Sequence, residues 1–374
     1  MRILLTGYYG KANFGDDILL KVTHGFVRQW QPNAEISVLC DHYLDDYLPE
    51  LLGENLRILK PGDRENFDLI IHGGGGTFFD FTNHGVVSLT CNAVIKLIGF
   101  GNYAAFDRFV RKICGKQRLS AKRRIGWGIG VGTYTLSSNK LRHNIPTLLD
   151  FDMLAVRDSV SLKNLEVFNI SNRAILGSDL AFLSNYWVPF SLLHKHHQTK
   201  AKPSLGIILR DWPYGSSENY IESFVKILPG LQDIYDLSLF VFDKRVDQLL
   251  LDFFKNYTTH VWDPPKTSYK EFCSLLAQQD VLVSSRAHGA ICGAVLGIPS
   301  VLLEIEPKLR TVHEMLPHAT YLLSPIGLRL DRLKTAIDSV LSIFSATNSD
   351  DVNKNKTLTL DSIEKSLKKV GSYD

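Results

Sequence analysis

The chain has 374 residues, 45% hydrophobic and 22% charged, with a formal net charge of +3. That length exceeds what one hydrophobic core usually serves, so two domains are expected, and so small a charge excludes the strongly basic surface of a nucleic-acid binder. Five cysteines, Cys40, Cys91, Cys114, Cys273 and Cys292, form no C-x-x-C pair, which argues against a disulfide framework or a structural zinc site and predicts a reducing, cytoplasmic compartment.

The first apolar run, Arg2–Thr6, leads straight into glycines and reads as a buried strand rather than a leader. The loop Gly7-Tyr8-Tyr9-Gly10-Lys11-Ala12-Asn13-Phe14-Gly15-Asp16-Asp17 follows, ahead of a helix from near Ile18. Its glycines permit a tight turn and close approach of a ligand. It lacks the Gly-Lys-Ser/Thr ending of a phosphate-binding loop. Asp16 and Asp17 each read equally well as a helix cap or as a ligand contact.

After strands at Glu35–Leu39 and Leu69–His72 comes Gly73-Gly74-Gly75-Gly76-Thr77-Phe78-Phe79-Asp80. Four glycines in a row are costly to order, so something must approach that backbone. At a strand's carboxyl end, a ligand-facing loop is the favoured reading. Residues 101–124 form a basic, amphipathic insertion with Phe106, Phe109, Val110 and Ile113 on one stripe. A helix packing that stripe on the domain is favoured over contact with an anionic membrane surface or glycan. Strands at Arg124–Ile129, Met153–Val156 and Ala174–Leu176 complete the first half, and Val156-Arg157-Asp158-Ser159 reads as a structural turn with a cap.

Residues 185–202 are polar and carry His194, His196 and His197. Without an acidic or cysteine partner nearby, a solvated linker is favoured over a metal site. The second half repeats the alternation, with strands at Ser204–Leu209, Leu237–Phe242, His260–Val261, Val281–Val283 and Ser300–Leu303. The whole pattern predicts an α/β protein with two doubly wound, Rossmann-like domains, 1–190 and 203–330, and a ligand in the cleft between them. Residues 331–374 are expected to pack across both as helices at Asp331–Phe344 and from Asp361 or Ser362, separated by a polar break.

The segment Ser284-Ser285-Arg286-Ala287-His288-Gly289, continued to Pro307-Lys308, carries the most chemistry. Arg286 and His288 sit where a strand hands over to a small-residue helix, the place where open α/β sheets bind ligands and where free amides favour an anion. Lys308 follows the next strand, and Arg210 follows the first strand of this half. Two arginines, a lysine and an imidazole on one sheet edge suit a small, highly charged anion.

The chain resembles the polysaccharide pyruvyl transferases. The resemblance runs from about Met1 to Arg310 and rests on the order of Asn-Phe-Gly-Asp-Asp, the tetraglycine, Val-Arg-Asp-x-x-Ser, Gly-Ser-Asp-Leu-Ala-Phe and Arg-x-His…Gly-Ile-Pro…Pro-Lys. It implies a GT-B-like two-domain architecture and transfer of pyruvate from phosphoenolpyruvate to a glycan or lipid-linked glycan precursor, as a ketal. No metal or other cofactor is required. In that scheme Arg210, Arg286 and Lys308 hold phosphoenolpyruvate and His288 supplies the proton. The base is sought among Asp16, Asp17 and Asp80, with Asp16 carried forward as catalytic. Asn13, Gly15, Asp17, Gly74, Gly75, Gly76 and Asp80 are the expected acceptor or loop contacts. Glu306, beside Lys308, offsets part of its charge. The rivals are a nucleotide-sugar glycosyltransferase, with Glu304 or Glu306 for the ribose, and a non-catalytic glycan-binding protein.

Overall fold

A computed structural model describes residues 1–40, 45–79, 119–132, 144, 146–167, 169–192, 201–212, 220–344 and 348–371. The chain divides into two compact units: Met1–Lys11, Leu19–Leu180 and Lys356–Asp374 form the first, and Ala12–Ile18 and Ala181–Asn355 the second. The opening loop therefore belongs in part to the second unit, although the first strand belongs to the first.

Among the described residues, the first unit holds a seven-stranded sheet in the order β3-β2-β1-β4-β5-β6-β7. Its strands are β1 (Arg2–Thr6), β2 (Glu35–Leu39), β3 (Arg57–Leu59), β4 (Glu65–Phe78), β5 (Leu119–Val131), β6 (Met153–Val156) and β7 (Ala174–Leu176). The second unit holds six strands in the order β10-β9-β8-β11-β12-β13. These are β8 (Ser204–Ile208), β9 (Asp236–Val241), β10 (Thr259–Val261), β11 (Val281–Ser284), β12 (Ser300–Leu303) and β13 (Thr320–Leu323). Every pairing in both sheets is parallel. The strand residues are accordingly apolar on both faces: β6, β8, β11 and β12 are buried at every position.

The winding of each sheet reverses once, between β1 and β4 in the first and between β8 and β11 in the second. Such switch points are where doubly wound sheets leave room for a ligand. In the second unit the register pairs Ser284 with Ile208. Arg286 and Arg210 each lie two residues further on, so they leave adjacent strands at the same level.

Helix α1 (Phe14–Trp30) follows the opening loop. Helix α2 (Ala287–Val295) follows β11, and its glycines let it lie close on the sheet: a β-carbon at Gly289 would meet Ser284 Oγ at 2.3 Å. Helix α3 (Lys308–Met315) follows β12, and α4 (Leu330–Ile343) follows β13.

The last helix, α5, runs over Asn348–Val370, so it starts inside the stretch expected to be a polar break. Its buried face explains the difference. Asp351, Asn355, Thr359, Ser362 and Ser366 are buried and line one side at helical spacing. In the first unit Ser366 Oγ accepts from Trp127 Nε1 at 2.9 Å and Thr359 donates to the Asp179 carbonyl at 3.3 Å. In the second, Asn355 donates to the Met315 carbonyl at 2.9 Å. Over residues 348–359, where Asp351, Asn355 and Thr359 take the buried positions, the helix shows no apolar stripe to read.

Candidate active site

The site is built in the second unit, on the carboxyl edge of β8, β11 and β12. Ser284 shapes the turn after β11: its hydroxyl accepts from the Arg286 amide at 3.0 Å and donates to the Arg286 carbonyl at 2.8 Å. Arg286 thereby occupies the N-cap position of α2 in extended backbone, with His288 in the first turn. Arg286 is 8% exposed. Its Nη2 donates to Asp247, a fully buried carboxylate that also accepts from the Asp211 amide at 3.1 Å. Burial pushes the Asp247 carboxyl up, and the Arg286 charge holds it down.

Arg210 lies over the Trp212 ring at 4.2 Å and donates through Nη1 to Glu306 Oε1 at 3.0 Å. Lys308 Nζ reaches the same oxygen at 2.8 Å. Burial pulls the Arg210 guanidinium below its ordinary value, Glu306 raises it, and the neighbouring Arg286 charge lowers it further. Tyr220, buried between the Arg210 carbonyl and Ser285 Oγ, is pushed up to about 12 by desolvation and stays a neutral hydrogen-bonding group. The three cations foreseen from the sequence are therefore gathered, but each is already paired. Two further guanidinium nitrogens, Nε of Arg210 and Nε of Arg286, are buried and have no hydrogen-bond partner.

The opening loop supplies the rest. The Phe14 amide donates to the Phe242 carbonyl at 2.9 Å, and Phe14 packs its ring against Phe242, Trp262 and Phe272. Asn13 bridges to Asp243 in a single antiparallel pairing, and its Oδ1 accepts from the Gly15 amide at 3.1 Å. With residues 12–18 so anchored, Gly15 lies under the His288 ring and Asp16 faces His288, Lys308 and Arg286. Asp16 keeps some solvent exposure, yet enough protein surrounds its carboxyl to raise it to about 6; His288, Lys308 and Arg286 oppose the shift, and Asp243 adds to it. Asp17 turns the other way: its Oδ2 is buried and accepts from Trp262 Nε1 at 2.7 Å.

The remaining expected contacts belong to the first unit. Gly73 to Gly76 lie within β4, and its register with β5 shifts between Gly75 and Phe78. Gly74 has a φ of 60° and is buried against Leu19 and Leu180, so this part of the tetraglycine admits protein side chains; Gly76 is exposed. Asp80, His194, His196, His197 and most of the basic stretch, residues 101–118, lie outside the described residues.

Sequence reasoning missed Asp243 and Asp247, the two acids after β9. The signal was Phe242-Asp243-Lys244-Arg245-Val246-Asp247, two carboxylates at a strand's carboxyl end on the edge that carries Arg210 and Arg286. Glu304, one rival ribose contact, is paired with Arg310 at 2.9 and 2.8 Å, and Glu306, the other, holds Arg210 and Lys308. Among the described residues no group of three His, Cys, Asp or Glu is arranged for a metal ion, and no helix is long and apolar enough to cross a membrane.

The family model for polysaccharide pyruvyl transferase matches residues 13–307, a span that holds Asp16, Arg210, Arg286, His288 and Glu306. No curated protein matches the chain. Among solved structures, the chain is similar to a UDP-GlcNAc 2-epimerase from Methanocaldococcus jannaschii in complex with UDP-GlcNAc and UDP, at a TM-score of 0.57 and 12% identity over 96% of this chain and 100% of that one. It is also similar to the Neisseria meningitidis UDP-GlcNAc 2-epimerase bound to UDP-GlcNAc, at 0.52 and 11% over 98% and 100%. A lipopolysaccharide outer core galactosyltransferase in apo form gives 0.50 and 11% over 98% and 99%. At such identities the likeness is one of fold, the α/β class of GT-B-type epimerases and glycosyltransferases.

Proposed function

Because the chain belongs to the polysaccharide pyruvyl transferase family, we propose that it transfers pyruvate from phosphoenolpyruvate to two hydroxyls of a glycan or lipid-linked glycan precursor, as a ketal. The observation that carries this reading is the gathering of Arg210, Arg286, Lys308 and His288 on one sheet edge of the second unit, with Asp16 of the opening loop facing them. Phosphoenolpyruvate presents a carboxylate and a phosphate, and guanidinium groups bind both.

In this scheme His288 gives a proton to the vinyl CH2 carbon, which becomes the methyl group. The adjacent carbon gains oxocarbenium character, and an acceptor hydroxyl adds to it as Asp16 takes the hydroxyl proton. The C–O bond to phosphate then breaks, inorganic phosphate leaves, and the second hydroxyl closes the ketal with loss of its own proton. A carboxyl near 6 is ionised at neutral pH yet basic enough to accept a proton in passing. His288 and Asp16 are thus the proposed catalytic residues, with Arg210, Arg286 and Lys308 as donor-binding groups. Nothing in the scheme calls for a metal or other cofactor, and the cysteine pattern supports a cytoplasmic reaction as part of this proposal.

The test incubates the protein with phosphoenolpyruvate, and separately with nucleotide sugars, over a panel of glycosides. Phosphate release together with an acceptor heavier by one pyruvyl ketal is the expected result. Turnover of a nucleotide sugar without consumption of phosphoenolpyruvate would overturn the reading.

A further inference from the structure

Glu306 is out of place in a site meant for an anion. It is 4% exposed, and one of its oxygens accepts from both Arg210 Nη1 and Lys308 Nζ. Asp247 does the same for Arg286. The ligand-free site is therefore close to charge balance, whereas the gathered cations alone would be strongly positive. Holding Arg210 and Lys308 in place needs only an acceptor oxygen, which a neutral amide also offers. The negative charge itself is what requires an explanation.

We propose that Glu306 is a positioning residue and a charge counterweight: it fixes Arg210 and Lys308 and limits how tightly their site holds an anion, so that inorganic phosphate can leave. The identity of the anion rests on the phosphoenolpyruvate reading above. Each turnover leaves a phosphate among the same cations that bound the donor. With Glu306 in place, the anion meets a site whose positive charge is largely spent. A buried carboxylate close to those cations also repels the bound anion directly, because burial weakens solvent screening.

The test is Glu306→Gln in the full chain, with inorganic phosphate as the probe in titration calorimetry. The amide keeps an acceptor for Arg210 and Lys308 and removes the charge. Phosphate Kd is expected to fall roughly tenfold, and to depend more steeply on salt than in the wild type, a response that lost packing would not produce. With phosphoenolpyruvate, KM and kcat are expected to fall together, as product release becomes slower. An unchanged or higher phosphate Kd overturns the proposal, as does a lack of phosphate binding in both proteins. Glu306→Asp guards against a misfolded amide variant, because it keeps the charge at shorter reach: its phosphate Kd should be no tighter than the wild type, and tighter binding sinks the idea. A wild type that binds phosphate but does not consume phosphoenolpyruvate refutes the donor reading, and the comparison of Kd values still decides the role of Glu306.

Discussion

The His288 ring rests on the α-carbon of Gly15: a β-carbon there would sit 2.2 Å from Nδ1 and 2.7 Å from Cγ. The two residues are far apart in sequence, and only a residue without a side chain allows the contact. Gly15→Ala should therefore force the imidazole aside while leaving the fold intact, since Gly15 needs no left-handed backbone. A displacement of about 1 Å from the proposed proton-transfer position predicts a loss of roughly 100-fold in kcat, with little change in melting temperature. A kcat near that of the wild type would separate His288 from the chemistry.

Asp16 should cost the protein stability at neutral pH. Its folded-state carboxyl is raised from 3.8 to about 6, chiefly by desolvation. Between those values the folded state holds a proton that the unfolded chain has lost, so stability falls as pH rises through that window and levels off above it. Asp16→Asn removes the charge. The variant is expected to melt above the wild type at pH 7 to 8, by a few degrees at most, with the gap closing as pH falls from about 6 towards 4. The same variant should lose turnover, as the proposed base is gone. Thermal melts across that pH range check the sign, and a variant that melts lower at pH 8 contradicts it.

Much of this was legible from local pattern. The strands β8, β11 and β12 announce themselves as short Val, Ile and Leu runs, and their parallel order brings Arg210, Arg286 and Lys308 to one edge. What local pattern could not give is the partner set. Asp16 reaches His288 because Phe14, Trp262 and Phe272 pack residues 12–18 onto the second unit, a tertiary preference that the loop's own sequence does not declare. The edge strands β3 and β13 escaped because each opens on a polar residue, Arg57 or Thr320, and neither carries the valine that marks β11 and β12. The glycines of β4 looked like an open loop because the close neighbours of Gly73, among them Tyr9 and Thr23, belong to other elements.

The buried pair of Arg286 and Asp247 predicts an asymmetric mutational response. Arg286→Ala strands a fully buried carboxylate, and breaking such a pair costs about 3 to 5 kcal/mol. Asp247→Asn added to Arg286→Ala removes the stranded charge. The double variant should therefore recover a good part of the loss, even though it has given up two groups rather than one. Urea denaturation of the wild type, both single variants and the double variant measures the coupling directly. Additive losses would mean that Asp247 is not held by Arg286 to the extent that their contact implies.

The Asp17–Trp262 hydrogen bond, 2.7 Å and buried at both ends, ties the opening loop to the second unit. Asp17→Ala leaves the indole N–H without that acceptor inside an aromatic cluster, which costs about 1 to 3 kcal/mol. Asp17→Asn keeps a side-chain oxygen at the same reach and should cost less than half as much. The loop that carries Asp17 also carries Gly15 and Asp16, so loosening it acts on the site as well as on stability. In Asp17→Ala, kcat should fall at temperatures well below the melting transition, and tryptophan fluorescence should shift to the red as Trp262 gains contact with water. Unchanged fluorescence together with full activity would show that Phe14 and its aromatic neighbours hold the loop without help from the carboxylate.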